Sequence, residues 1–153
     1  MSDPLSLTVR DAVIDALNEP AGSGDVPVAT KRRVMPGEPI KEPFIAVFLD
    51  DENVNLPQGT RGAIAARDVG INIQIGVATA DLSTVDDLLE PLRAHVIERL
   101  GDTDLDGLAT SVIEVGIPEG GRIAYKLDLY NALVFSYWRV RYQTKRADLS
   151  AKQ

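Results

Sequence analysis

Val69-Gly70-Ile71-Asn72-Ile73-Gln74-Ile75-Gly76-Val77 alternates branched apolar residues with small or polar ones at a period of two. A β-strand sends successive side chains to opposite faces, so this spacing predicts a half-buried strand with Val69, Ile71, Ile73, Ile75 and Val77 on the core side. Just downstream, Val85, Leu88, Leu89, Leu92, Val96 and Leu100 recur at helical spacing and form one apolar stripe. An apolar sheet face followed by an amphipathic helix predicts a core in which the helix covers the sheet. Neither segment carries a reactive pattern, which moves the search for function to edges and loops.

Toward the N-terminus, Leu5, Val9, Val13 and Leu17, with Ala12 and Ala16, predict a helix over Leu5–Asn18, with Ser6 or Thr8 as caps and Pro20 to Gly24 as its stop. Val28–Met35 reads as an edge strand interrupted by Arg32-Arg33 and closed by Pro36-Gly37. Phe44–Leu49 is a continuous apolar run led by Pro43 and stopped by Asp50-Asp51-Glu52, which predicts a strand buried on both faces. Residues 50–66 then form a connection far longer than a hairpin turn.

Toward the C-terminus, Ser83 stands three before Asp86 in capping-box spacing, and Pro91 predicts a kink or a restart within the second helix, which Gly101 ends. Ala109–Val115 and Ala132–Tyr142 are the remaining strands, joined by a second long connection over residues 116–130. The polar tail after Lys145 is expected to fray. The whole is one α+β domain over residues 1–153: a mainly antiparallel, mixed sheet of about five strands, two helices on one face, and long inter-strand loops.

Composition excludes several classes. The 153 residues carry a formal net charge of −7, which opposes a surface that binds nucleic acid by neutralising phosphates. There is no cysteine for a disulfide framework, no apolar run of the roughly 20 residues that span a bilayer, and no basic-then-apolar leader after Met1, so the cytoplasm is the default compartment.

Few residues suggest chemistry. Asp102-Thr103-Asp104-Leu105-Asp106-Gly107 matches the first half of a calcium-binding EF-hand loop, but the position for the bidentate glutamate is Ile113, and a solvated acidic turn is the plainer reading. His95, the only histidine, lies beside the helical stripe as a partly exposed surface residue rather than a member of a catalytic triad. Gly120-Gly121 lacks the lysine and spacing of a phosphate loop. No metal, cofactor or catalytic residue is expected. Arg32-Arg33 and Arg139/Arg141 could grip an acidic partner or be solvated strand residues. The final strand places Val134, Trp138, Val140 and Tyr142 on one face and Leu133, Phe135, Tyr137, Arg139 and Arg141 on the other, a composition found at protein contacts.

The order of these pieces resembles the phage tail terminator family, minor tail proteins that close the head-proximal end of a long tail tube. The resemblance rests on the first helix, Lys31-Arg32-Arg33, the Glu42-Pro43-Phe44-Ile45-Ala46-Val47-Phe48 strand, the long alternating strand, the Val85–Leu100 helix, Leu105-Asp106-Gly107-Leu108, and the closing strand into Arg141-Tyr142-Gln143-Thr144. It implies a non-enzymatic virion protein, assembled in host cytoplasm, that forms a homo-oligomeric ring, usually a hexamer. The ring docks on the tail-tube protein, stops its polymerisation, offers a surface to the head–tail connector and lets DNA pass through its lumen. Asp50, Asp51, Glu52, Arg61, Asp102, Asp104, Asp106, Arg139 and Arg141 are the expected interface residues. A head–tail connector or neck-completion protein, a cytoplasmic binding module, and an enzyme using the acidic turn as a metal site are the alternatives.

Overall fold

The computed structural model describes residues 4–18, 26–55, 64–101, 103, 105, 107–116 and 122–145, with side chains left aside at 4–6, 50–55, 64–67, 116 and 143–145. The elements are α1 (Pro4–Asn18), β1 (Ala29–Thr30), β2 (Phe44–Asn55), β3 (Ile64–Thr79), α2 (Val85–Leu100), β4 (Ser111–Gly116), β5 (Arg122–Lys126) and β6 (Tyr130–Lys145). The sheet order is β1-β2-β3-β6-β4, with β5 also on β6; β1 runs parallel to β2 and every other pair is antiparallel. The fold is therefore α+β with a mixed sheet of six strands.

The alternating stretch is the centre of β3. Ile71, Ile73 and Ile75 sit opposite Leu49, Val47 and Ile45 of β2 and opposite Trp138, Ser136 and Val134 of β6. Both helices cover this face. Val9, Val13 and Leu17 of α1 and Val85, Leu89, Leu92, Val96 and Leu100 of α2 join Val69, Ile71, Ile73, Ile75 and Val77 in one core. Each such side chain contributes about 1.5–3 kcal/mol by leaving water. Leu88 departs from the predicted stripe: it is 39% exposed on the outer side of α2.

His95 is not a surface residue. Only 9% exposed, it directs Nε2 at the Leu17 carbonyl, 2.7 Å away; a carbonyl can only accept, so Nε2 carries the proton. The bond satisfies one of the carbonyls left over at the end of α1 and ties the two helices together. Ser83 does not cap α2. It belongs to a 3-10 turn, Leu82–Thr84, where the Asp81 carboxylate accepts from the Ser83 amide at 3.0 Å and hydroxyl at 2.8 Å. Those bonds, the side-chain one foremost, hold the Asp81 carboxyl below its ordinary value. Thr8 lies inside α1, which starts at Pro4. Pro91 neither stops nor restarts α2, which continues as helix from Val85 to Leu100 with Pro91 on its exposed side.

The long connections are shorter than expected. β2 continues through Asp50, Asp51 and Glu52 to Asn55, with a register shift between Leu49 and Glu52, and β3 begins at Ile64. A bulge absorbs the acidic residues without ending the strand. Residues 122–126 form β5, a hairpin partner of β6, rather than part of an open connection. The strand expected over Val28–Met35 contracts to Ala29–Thr30, because the following segment crosses the sheet instead of pairing along it. The strand expected over Ala109–Val115 forms as Ser111–Gly116.

Candidate interaction surface

The second sheet face is the site of interest. Ladder register puts Phe44, Ala46 and Phe48 of β2, Gly70, Asn72, Gln74 and Gly76 of β3, and Leu133, Phe135, Tyr137 and Arg139 of β6 on it. A half-buried strand would leave its polar side in water, yet Asn72, Gln74 and Gly76 are buried. Two devices account for this. A Cβ at Gly76 would lie 2.1 Å from Phe44 Cε1, so the Phe44 ring packs directly over the glycine and covers the strand. Residues 31–43 then form a strap across the neighbouring part of the face.

The strap contains Pro36, Pro39 and Pro43, which cannot donate to a ladder, and it is tied down by side chains instead. Gln74 Nε2 donates to the Val34 carbonyl at 2.6 Å, and Gln74 Oε1 accepts from the Val34 amide at 2.8 Å. The Ile40 amide donates to Asn131 Oδ1 at 2.8 Å, while Asn131 Nδ2 donates to the Leu129 carbonyl. Asn18 treats Ala29 as Gln74 treats Val34, accepting from its amide at 2.7 Å and donating to its carbonyl at 3.1 Å. The Tyr125 hydroxyl donates to the Glu38 carbonyl, and burial raises the Tyr125 pKa above the ordinary 10.0. Between these anchors Met35-Pro36-Gly37-Glu38 makes a tight turn, with the Glu38 amide on the Met35 carbonyl at 3.0 Å and Gly37 at φ +96°. Proline at the second position and glycine at the third suit such a turn.

Beyond the strap the face opens toward its far end, at Arg139 and Ile113. Phe48, Asn72 and Tyr137 form one row across β2, β3 and β6, and Gly70, Arg139 and Ile113 form the next across β3, β6 and β4. Arg33 stacks on Phe48 with its guanidinium carbon 4.8 Å from the ring centroid. Ile113 is 57% exposed. Asn72 is 95% buried, and among the described residues its Oδ1 has no hydrogen-bond partner.

The predicted interface residues divide. Arg139 is exposed on this open row. Arg141, one rung further, is committed within the chain: its Nε and Nη2 donate to the two oxygens of the buried Asp68 at 2.8 and 3.1 Å, which raises the Arg141 pKa. Asp50, Asp51 and Glu52 lie in β2, on the side-chain positions left aside. Arg61, Asp102, Asp104 and Asp106 fall outside the described residues. Leu105, in the middle of the acidic turn, is buried at φ +54° and packs into the core. Among the described residues no group of three His, Cys, Asp or Glu is placed to hold a metal ion, and no helix is long and apolar enough to cross a membrane. Sequence reasoning missed Gln74, Asn131 and Tyr125 as anchors and Asn72 as the unpaired acceptor; the one signal was amides recurring on the nominally wet side of a strand with proline-rich sequence nearby.

A cleft of about 780 Å³ is framed by the 27–44 segment itself, lined by Thr30, Arg32, Arg33, Glu38, Lys41 and Phe44 among others. Its mixture of cations and carboxylates suits polar contact. Compared with known protein families and with curated proteins, the chain matches none.

Proposed function

We propose that this protein is a stoichiometric assembly factor of a phage-like tail, a terminator whose ring caps the head-proximal end of the tail tube. The observation that carries the reading is the open row on the second face. Exposed Arg139 and Ile113, beside the half-buried Phe48 and Tyr137, suit a macromolecular contact better than turnover of a small substrate. The order of elements adds support from the sequence side, since it resembles that of the tail terminators.

Such a cap acts through two unlike surfaces. One binds the terminal ring of tube protein; the other refuses the next tube subunit and accepts the connector, with like charges rejecting the wrong partner. The net charge of −7 suits a lumen through which DNA slides, over a range of about 10 Å at 0.1 M salt. Particles assembled without the protein test the reading. Overlong, headless tails that regain normal length on addition of purified protein support it. Tails of normal length that fail only to join heads overturn termination and favour the head–tail joining role.

A further inference from the structure

We infer that the crevice between α2 and β5 binds an apolar α-amino acid, gripped by its ammonium and carboxylate with its side chain in the crevice. The site arises where the helix layer stops short of the sheet edge. Ile75, Val134 and Arg122 form one rung across β3, β6 and β5. Ile75 and Val134 are buried in the core with Leu89 of α2, whereas Arg122 is exposed, as is Ala124, the partner of the core residue Ala132. Beside Leu89 this leaves a hollow of about 150 Å³, whose apolar lining is Ile75, Leu89 and Val134. A hollow of that size takes a benzene-sized group. It therefore accepts one leucine, isoleucine, methionine or phenylalanine side chain, and is too small for a drug-sized ligand, whose sites run to roughly 300–1,000 Å³.

The rest of the lining is charged: Asp86, Glu90 and Arg93 from α2 and Arg122 from β5. Spacings of four and three residues set Asp86, Glu90 and Arg93 on one side of the helix, alongside Leu89. The four charges are not equivalent. Asp86 and Arg122 pair at 2.7 Å and so join the two walls, while among the described residues Glu90 and Arg93 make no ion pair. An unengaged carboxylate and an unengaged guanidinium one helical turn apart, beside an apolar hollow, match a molecule that carries an ammonium, a carboxylate and an apolar side chain on one carbon. The ligand's carboxylate accepts from the Arg93 guanidinium, whose planar fork suits two parallel bonds. Its ammonium donates to Glu90, and its side chain leaves water for the hollow. A fatty acid would set its carboxylate near Glu90 and an alkylamine its ammonium near Arg93, so a ligand with one charge fits less well.

The crevice lies on the opposite face of the sheet from Arg139 and Ile113, and the inference stands apart from the assembly role. Two-dimensional NMR of the protein with L-leucine added tests it. Saturable shifts are expected at the Leu89, Glu90, Arg93 and Arg122 amides, and L-isoleucine, L-methionine and L-phenylalanine should produce them too. Glycine, with no side chain to bury, should bind at least about tenfold more weakly. N-acetyl-L-leucine lacks the ammonium and L-leucinamide the carboxylate, so each should lose about tenfold or more against L-leucine. Arg93→Gln and Glu90→Gln should weaken L-leucine by a similar factor while the spectrum keeps the dispersion of the folded protein. N-acetyl-L-leucinamide imitates a leucine within a polypeptide; if it binds as tightly as L-leucine, the hollow takes a protein side chain and the amino-acid assignment is overturned. No saturable shift with any of the four apolar amino acids, or equal affinity in the unaltered and Arg93→Gln proteins, overturns the site itself.

Discussion

Gln74→Leu removes the amide that holds the strap while keeping a side chain of similar size in a position only 1% exposed. Two hydrogen bonds are lost, from the Val34 amide at 2.8 Å and to the Val34 carbonyl at 2.6 Å. At a net value of about 1 kcal/mol each, the strap becomes about 2 kcal/mol easier to detach. That corresponds to roughly a 30-fold larger population of the detached state. The alternative, with the strap kept in place and both Val34 polar groups left unpaired, costs more, so detachment wins. Trypsin supplies the assay, because Lys31, Arg32 and Arg33 lie at the start of the strap and cleavage of a rapidly opening segment tracks its open population. Cleavage there should accelerate about 30-fold, and the Ile40 amide, bonded to Asn131, should exchange faster in step. Unchanged cleavage, or an Ile40 amide as protected as before, would refute the claim that Gln74 anchors the strap as a unit.

Other expectations follow from the same geometry. Gly76→Ala puts a methyl group into the Phe44 ring and should cost about 1–3 kcal/mol in urea unfolding; adding Phe44→Ala should recover part of that, and strict additivity would contradict the overlap. Ile73→Asp places a carboxylate at a fully buried position and should abolish soluble folding, which circular dichroism of the expressed protein would check. Because burial raises the Tyr125 pKa above 10.0, the fold favours the neutral phenol: its contribution is present below the unfolded-state pKa and is lost as pH rises through the folded-state value. Tyr125→Phe should therefore remove an alkaline loss of strap protection that the unaltered protein shows, measured by proteolysis at stepped pH.

The helical half of the fold was legible because it depends on periodicity alone. Val9, Val13 and Leu17, and Val85, Leu89, Leu92, Val96 and Leu100, occupy the core as their spacing predicts, and Ile73 is buried as the alternation requires. What escaped is what depends on partners remote in sequence. Gln74 looks solvent-facing until Val34, forty residues earlier, is laid across it, and Asn131 gives no hint of Ile40. His95 was misplaced for the same reason, since its partner is a carbonyl of another helix. The acidic run Asp50-Asp51-Glu52 imitated a strand end because composition cannot distinguish a bulge from a stop. Of the interface residues, Arg139 and Arg141 have the same type and the same face, yet only the ladder register shows that Arg141 meets Asp68.

Addition of the purified protein to growing tail-tube subunits tests the central claim most directly, with tube lengths followed by electron microscopy. Tubes should stop lengthening once about one ring's worth of protein per tube end is present, and each arrested tube should carry extra density at one end only. Tubes that keep growing at the uninhibited rate, with the protein unbound or scattered along their walls, would contradict it.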